Sequence, residues 1–147
     1  MIDDESLIAA LRLAAGHDRI PDHVAAAARH AYRLRVPGAV TAERVDVPPA
    51  RGVRSGSAPR LFRFAAPDLT VDVEATPCGG LLDLAGQVTP APDGGLVRVR
   101  TPHLDETRRL PSSGRFAVTG LPFGWFSVVV DRSPAPPVVT AWTRFRP

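Results

Sequence analysis

Three histidines, His17, His23 and His30, are the first candidates for chemistry, because imidazole both ligates metals and titrates near neutral pH. Their spacings of six and seven residues miss the one-turn spacing that sets two imidazoles on one helix face as a metal pair. They read as solvated side chains on a helix surface. Cys78 is the only cysteine, so a single chain can form neither an intramolecular disulfide nor a cysteine zinc cluster. His103 and Asp105 could work as an acid–base pair in a loop, but Pro102 beside them points to a hairpin connection, and no activated nucleophile accompanies them. Ser55 stands between Arg54 and Gly56, outside the strand–turn–helix setting of a nucleophile elbow. The expectation is a protein that is not an enzyme and that holds no metal or cofactor.

Charge offers a second kind of chemistry. All 18 basic residues are Arg and none is Lys, so the isoelectric point of about 10.3 reflects the high guanidinium pKa more than the formal charge of +3. Arg-only usage with abundant Ala, Pro and Gly suggests a GC-rich bacterial coding bias. Arg98 and Arg100 share one strand face opposite Val97 and Val99, and Arg108, Arg109, Arg144 and Arg146 add charge that could meet a phosphate backbone. Residues 60–147 interleave eight Asp and Glu with ten Arg, which favours an ordinary soluble sheet face over a nucleic-acid partner.

These residues must be positioned by a chain of 147 residues, enough for one main core and an appendage. No apolar run approaches the roughly 20 residues that span a bilayer. The acidic opening Met1-Ile2-Asp3-Asp4-Glu5 is the reverse of a secretory signal, and with the lone cysteine it fits a cytoplasmic protein.

From Asp3 to about Ala15, Leu7, Ile8, Leu11 and Ala14 or Ala15 recur at helical spacing, with Asp3, Asp4 and Glu5 at the favourable N-terminal end and Gly16 as a stop. A second helix starts at Pro21-Asp22, carries Val24, Ala27, Ala28, Ala31 and Leu34 on one stripe, and ends at Pro37-Gly38. Residues 38–59 combine Pro, Gly and Ser and read as a linker, with a short helical or extended piece near Val40 to Val45. The expected organisation is therefore a helical pair at 1–37, a linker at 38–59 and a β-sandwich at 60–147.

From Arg60 the period becomes two, the signature of half-buried strands. Strands are expected at Leu61 to Phe64, Leu69 to Glu74, Leu82 to Val88, Leu96 to Thr101, Thr107 to Leu110, Arg115 to Thr119, Phe126 to Val130 and Val138 to Phe145. Pro77-Cys78-Gly79-Gly80, Asp93-Gly94-Gly95 and Ser112-Ser113-Gly114 read as turns. Short strands at this spacing predict a mainly β, antiparallel sandwich with a short N-terminal helical hairpin. Its core should be Phe62, Phe64, Val71, Val73, Leu82, Leu84, Val97, Val99, Phe116, Val118, Phe126 and Val128.

Leu84-Ala85-Gly86-Gln87-Val88, Val97-Arg98-Val99, Gly114-Arg115-Phe116-Ala117-Val118 and Leu121-Pro122-Phe123-Gly124-Trp125-Phe126-Ser127-Val128 together resemble the carboxypeptidase regulatory-like, transthyretin-like fold. The resemblance covers roughly residues 82–131. It implies a glycine-turned hairpin before Phe116 and a Leu-Pro-x-Gly corner feeding the next strand, with Phe126 where a Tyr is usual. Hydroxyisourate hydrolases share that fold, but their C-terminal Tyr-Arg-Gly-Ser is absent from Thr143-Arg144-Phe145-Arg146-Pro147. The whole layout also resembles uncharacterised actinobacterial proteins encoded beside sigma-factor genes, which implies a regulatory setting.

If Phe126, Val128 and Val130 point inward, period two turns Trp125, Ser127 and Val129 outward, and Trp142 has either environment open to it. Trp is a favoured interface anchor. The Ala-rich helices bury little area per residue and need something to dock against, whether the β domain or another protein. Leu7, Leu11, Val24, Ala28, Ala31, Trp125 and Trp142 are therefore the candidate partner-binding residues. The expected function is a protein-interaction module, an accessory or adaptor subunit of a bacterial regulatory or defence-type system. The alternative is an anti-sigma-like regulator whose N-terminal helices grip a sigma factor.

Overall fold

A computed structural model describes residues 4–17, 20–47 and 59–147, and the chain divides into a helical unit, Met1–Arg35, and a β unit, Val36–Pro147. In the helical unit, α1 runs Asp4–His17 with Asp4 and Glu5 in its first turn. The second helix, α2, runs Asp22–Arg33. Pro21 caps it from a non-helical conformation, its carbonyl accepting from Val24 N at 2.9 Å, and Arg33 lies in the last turn, where the helix dipole favours a cation.

The β unit has ten strands: β1 Val40–Val45, β2 Arg60–Ala65, β3 Thr70–Cys78, β4 Leu81–Thr89, β5 Leu96–Arg100, β6 Asp105–Arg109, β7 Arg115–Leu121, β8 Gly124–Arg132, β9 Ala135–Thr140 and β10 Thr143–Phe145. They follow the order β6-β5-β8-β9-β1-β2-β3-β4-β7, with β10 beside β8. The chain is thus mainly β with two short N-terminal helices. Within residues 60–147 every strand pairing is antiparallel, as alternating hydrophobicity and short turns predict.

The departure lies in β1, inside the span read as a linker. Val40–Ala42 pairs in parallel with Val138–Thr140 of β9, and Glu43–Val45 pairs antiparallel with Arg63–Ala65 of β2. One strand therefore serves two layers, β6-β5-β8-β9 on one side and β2-β3-β4-β7 on the other. Ala42 stands at the changeover with its methyl fully buried, and its carbonyl accepts from Ala141 N at 3.1 Å. The expected antiparallel pairing thus has one parallel exception. The rest of the linker span, residues 48–58 with Ser55, lies outside the described residues.

Every side chain expected in the core is buried, and Phe62 of β2 meets Phe126 of β8 edge to face, ring centroids 5.7 Å apart, across the two layers. Leu110, Leu121 and Phe145 extend the same core. Gly86 is required by it: a Cβ there would lie 2.3 Å from Phe116 Cζ and 2.7 Å from the Asp72 carbonyl oxygen, so the Phe116 ring covers a strand position that only glycine leaves open. Gly114, at φ 70°, turns the β6–β7 connection. Its amide donates to Pro111 O at 2.8 Å, and its carbonyl accepts from Val88 N at 2.9 Å.

Two local expectations change. β3 continues through Pro77-Cys78, and only Gly79-Gly80, both at positive φ, form the turn, because Pro77 and Cys78 still pair with Leu82 and Leu81. The expected last strand divides into β9 and β10 at Ala141-Trp142, where Ala141 turns to bond Ala42. Separately, β4 and β7 shift register between Leu82 and Leu84, and the Asp83 carboxylate accepts from Gly120 N at 2.9 Å to hold the bulge.

Candidate interaction surfaces

The helical candidates are uncovered. Leu7, Leu11 and Val24 are 50%, 60% and 46% exposed, and Ala28 and Ala31 are exposed beside them on α2, which buries no residue. The helical spacing of Leu7, Ile8 and Leu11 gathers an apolar stripe, and that stripe meets solvent. His23 and His30 are exposed on α2; the side chain of His17 lies outside the described residues.

On the β unit, Trp125 is 47% exposed at the start of β8, but its expected outward companions are not. Ser127 and Val129 are fully buried, which corrects the reading that put them in solvent. For Ser127 the reason is a polar cover built across strands. Arg100 of β5, opposite Ser127, brings its Nη2 to 3.2 Å from Ser127 Oγ, while Ser127 Oγ donates to Thr140 O at 3.0 Å and Thr140 Oγ1 accepts from Val128 N at 2.9 Å. The Arg100 guanidinium lies 5.2 Å from the centre of the Trp142 ring. Burial, with the neighbouring Arg98 charge, pulls its pKa below the ordinary guanidinium value, while Asp105 pulls the other way. Trp142 is thus half-buried against Arg100, whereas Trp125 stays open. The structure does not bring the two indoles into one continuous site by strand pairing: Trp125 faces Arg144 across the β8–β10 ladder.

Two arginines of β5 and β6 meet carboxylates. Arg98 Nε is 3.1 Å from Asp131 and its Nη1 3.8 Å from Asp105, and Arg108 Nη1 is 3.0 Å from Glu106. Asp105 lies near Arg98, and the backbone amides of His103 and Leu104 donate to Thr101 Oγ1 at 3.3 and 2.9 Å, shaping a tight β5–β6 hairpin. On the other layer, Arg63 holds Asp72 bidentately at 2.7 and 3.0 Å. Beside it a shallow depression of about 610 Å³ is floored by Ala85, Gly86 and Ala117 and rimmed by Leu61, Glu74, Gln87 and Arg115. Among the described residues no three His, Cys, Asp or Glu side chains gather as a metal site, and no helix is long and apolar enough to cross a membrane.

Sequence reasoning missed the arginine and aromatic contacts at the end of the β unit. Arg60 lies 4.9 Å over the Phe145 ring, which stacks on Phe123 at 5.9 Å, and Arg44 lies 4.9 Å over Phe62. The runs Arg60-Leu61-Phe62 and Arg144-Phe145-Arg146, with arginine near an aromatic, were the available signal, but which arginine meets which ring depends on pairings between distant strands. Comparison of the chain with protein-family models, with curated proteins and with solved structures returns no match.

Proposed function

We propose that this chain is a non-enzymatic protein-interaction module, an accessory or adaptor subunit whose rigid β unit carries a helical unit that docks on a protein partner. The observation that carries this reading is the exposed apolar stripe of α1, Leu7 and Leu11, matched in kind by Val24 on α2, in a chain whose β unit closes its own core. Stripes of this sort cost hydration free energy until they are covered, so a partner that covers them gains affinity at about 25 cal/mol per Å² of apolar area before ordering costs. The buried polar side chains of the β unit support the same reading. Ser127, Thr140 and Arg100 bond one another and the backbone, and so stiffen a platform. The turns at Gly114 and Gly124, both at positive φ, suit the carboxypeptidase regulatory-like resemblance, and the lone Cys78 suits a cytoplasmic setting.

The test is affinity capture with the full chain and with its Leu7→Asp and Leu11→Asp variants, followed by identification of what is retained. A protein retained stoichiometrically by the unaltered chain and lost with either variant, while circular dichroism is unchanged, supports the reading. Equal retention by all three chains removes the helices from the interface.

A further inference from the structure

Four arginines of the β unit are matched by carboxylates: Arg63, Arg98, Arg108 and Arg132, the last by Asp68. Among the described residues, Arg144 and Arg146 have no such partner. They also share a face: Phe145 between them is buried, so period two turns both arginines outward, away from the core. Arg144 stands directly opposite the exposed Trp125.

Such a patch pairs guanidinium forks, which bind carboxylates bidentately, with one large flat apolar anchor. We infer that this end of the β unit binds an acidic peptide segment, its carboxylates meeting Arg144 and Arg146 and one of its apolar side chains covering Trp125. A single-stranded nucleic acid fits the patch less well, because strand binders stack successive bases on several aromatic rings and Trp125 is the one exposed aromatic among the described residues of the β unit. The inference rests on the chain being an interaction module, and it places a contact on the β unit that is separate from the helical stripe.

The test uses the full chain and fluorescence anisotropy with three dye-labelled probes: a peptide of Glu-Glu-Leu repeats, its Lys-Lys-Leu counterpart and an oligothymidylate. The Glu peptide should bind, more weakly as salt rises, and the Lys peptide should not. Trp125→Ala and Arg144→Glu should each weaken binding of the Glu peptide about tenfold or more, whereas Arg115→Glu, on the β7 edge, should leave it unchanged. Since Trp125 and Arg144 are exposed, these variants should keep the wild-type circular dichroism spectrum. Affinity for the Glu peptide that is insensitive to Trp125→Ala and Arg144→Glu overturns the proposal, as does tighter binding of the oligothymidylate. If that happens while Leu11→Asp still abolishes capture of a protein partner, this inference fails alone and the functional reading stands.

Discussion

Gly86 and Phe116 show how one residue's absence of a side chain sets another's position. The ring of Phe116 occupies the space where a Cβ on Gly86 would stand, so Gly86→Ala must displace the ring or the β3 backbone at Asp72. We expect Gly86→Ala to cost about 1–3 kcal/mol by overpacking and Phe116→Ala about 3–5 kcal/mol by leaving a cavity. The two should not add. With the ring gone, the alanine methyl loses one of its two clashes, so the double variant should be more stable than the sum of the single effects implies. Urea denaturation of the four proteins measures the coupling, and strict additivity would show that the ring is not what excludes a side chain at position 86. The sequence made the burial of Phe116 legible through alternation along Arg115 to Thr119. It left the dependence on Gly86 hidden, because that contact follows from the register between β4 and β7.

At the scale of elements, the strands legible in the chain were those whose own residues alternate. Phe62 and Phe64, or Val71 and Val73, announce a buried face without reference to any partner. Strand β1 announces nothing of the kind. Its six residues, Val-Thr-Ala-Glu-Arg-Val, bury only Ala42, and Pro37-Gly38 before it and Val47-Pro48-Pro49 after it have the composition of a linker. It is a strand because β9 and β2 each offer it hydrogen bonds, which no local pattern records. The two faces of β8 were misjudged for a similar reason, since the cover over Ser127 comes from Arg100 on another strand. A sharp consequence concerns truncation. Removing residues 1–35 deletes only the helical unit and should leave a cooperatively folding β unit. Removing residues 1–59 also deletes β1 and strips β9 and β2 of a neighbour, so it should lower the melting temperature well below that of the 36–147 protein or prevent folding. Equal thermal stability of the two truncated proteins, followed by circular dichroism, would mean that β1 contributes nothing to joining the layers.

Over the whole molecule, the contrast between the two units carries the functional account. The β unit closes a core of Phe, Leu and Val between two layers and holds buried Ser127 and Thr140 in hydrogen bonds. The helical unit presents Leu7, Leu11 and Val24 to solvent. The candidate residues on the helices could be read from helical spacing, and Trp125 from its place before an inward-facing Phe126, whereas the pairing of Arg144 with Trp125 emerged only when β8 and β10 were assembled. The central claim is that the helical stripe is a protein-docking surface, and site-specific photocrosslinking from it is the most direct measurement. A photoreactive amino acid placed at position 11 of the full chain should yield, on irradiation in cells, one dominant adduct with a protein partner, and position 7 should yield the same adduct. Absence of a protein adduct from both positions, in chains that fold as the wild type does, would contradict the account.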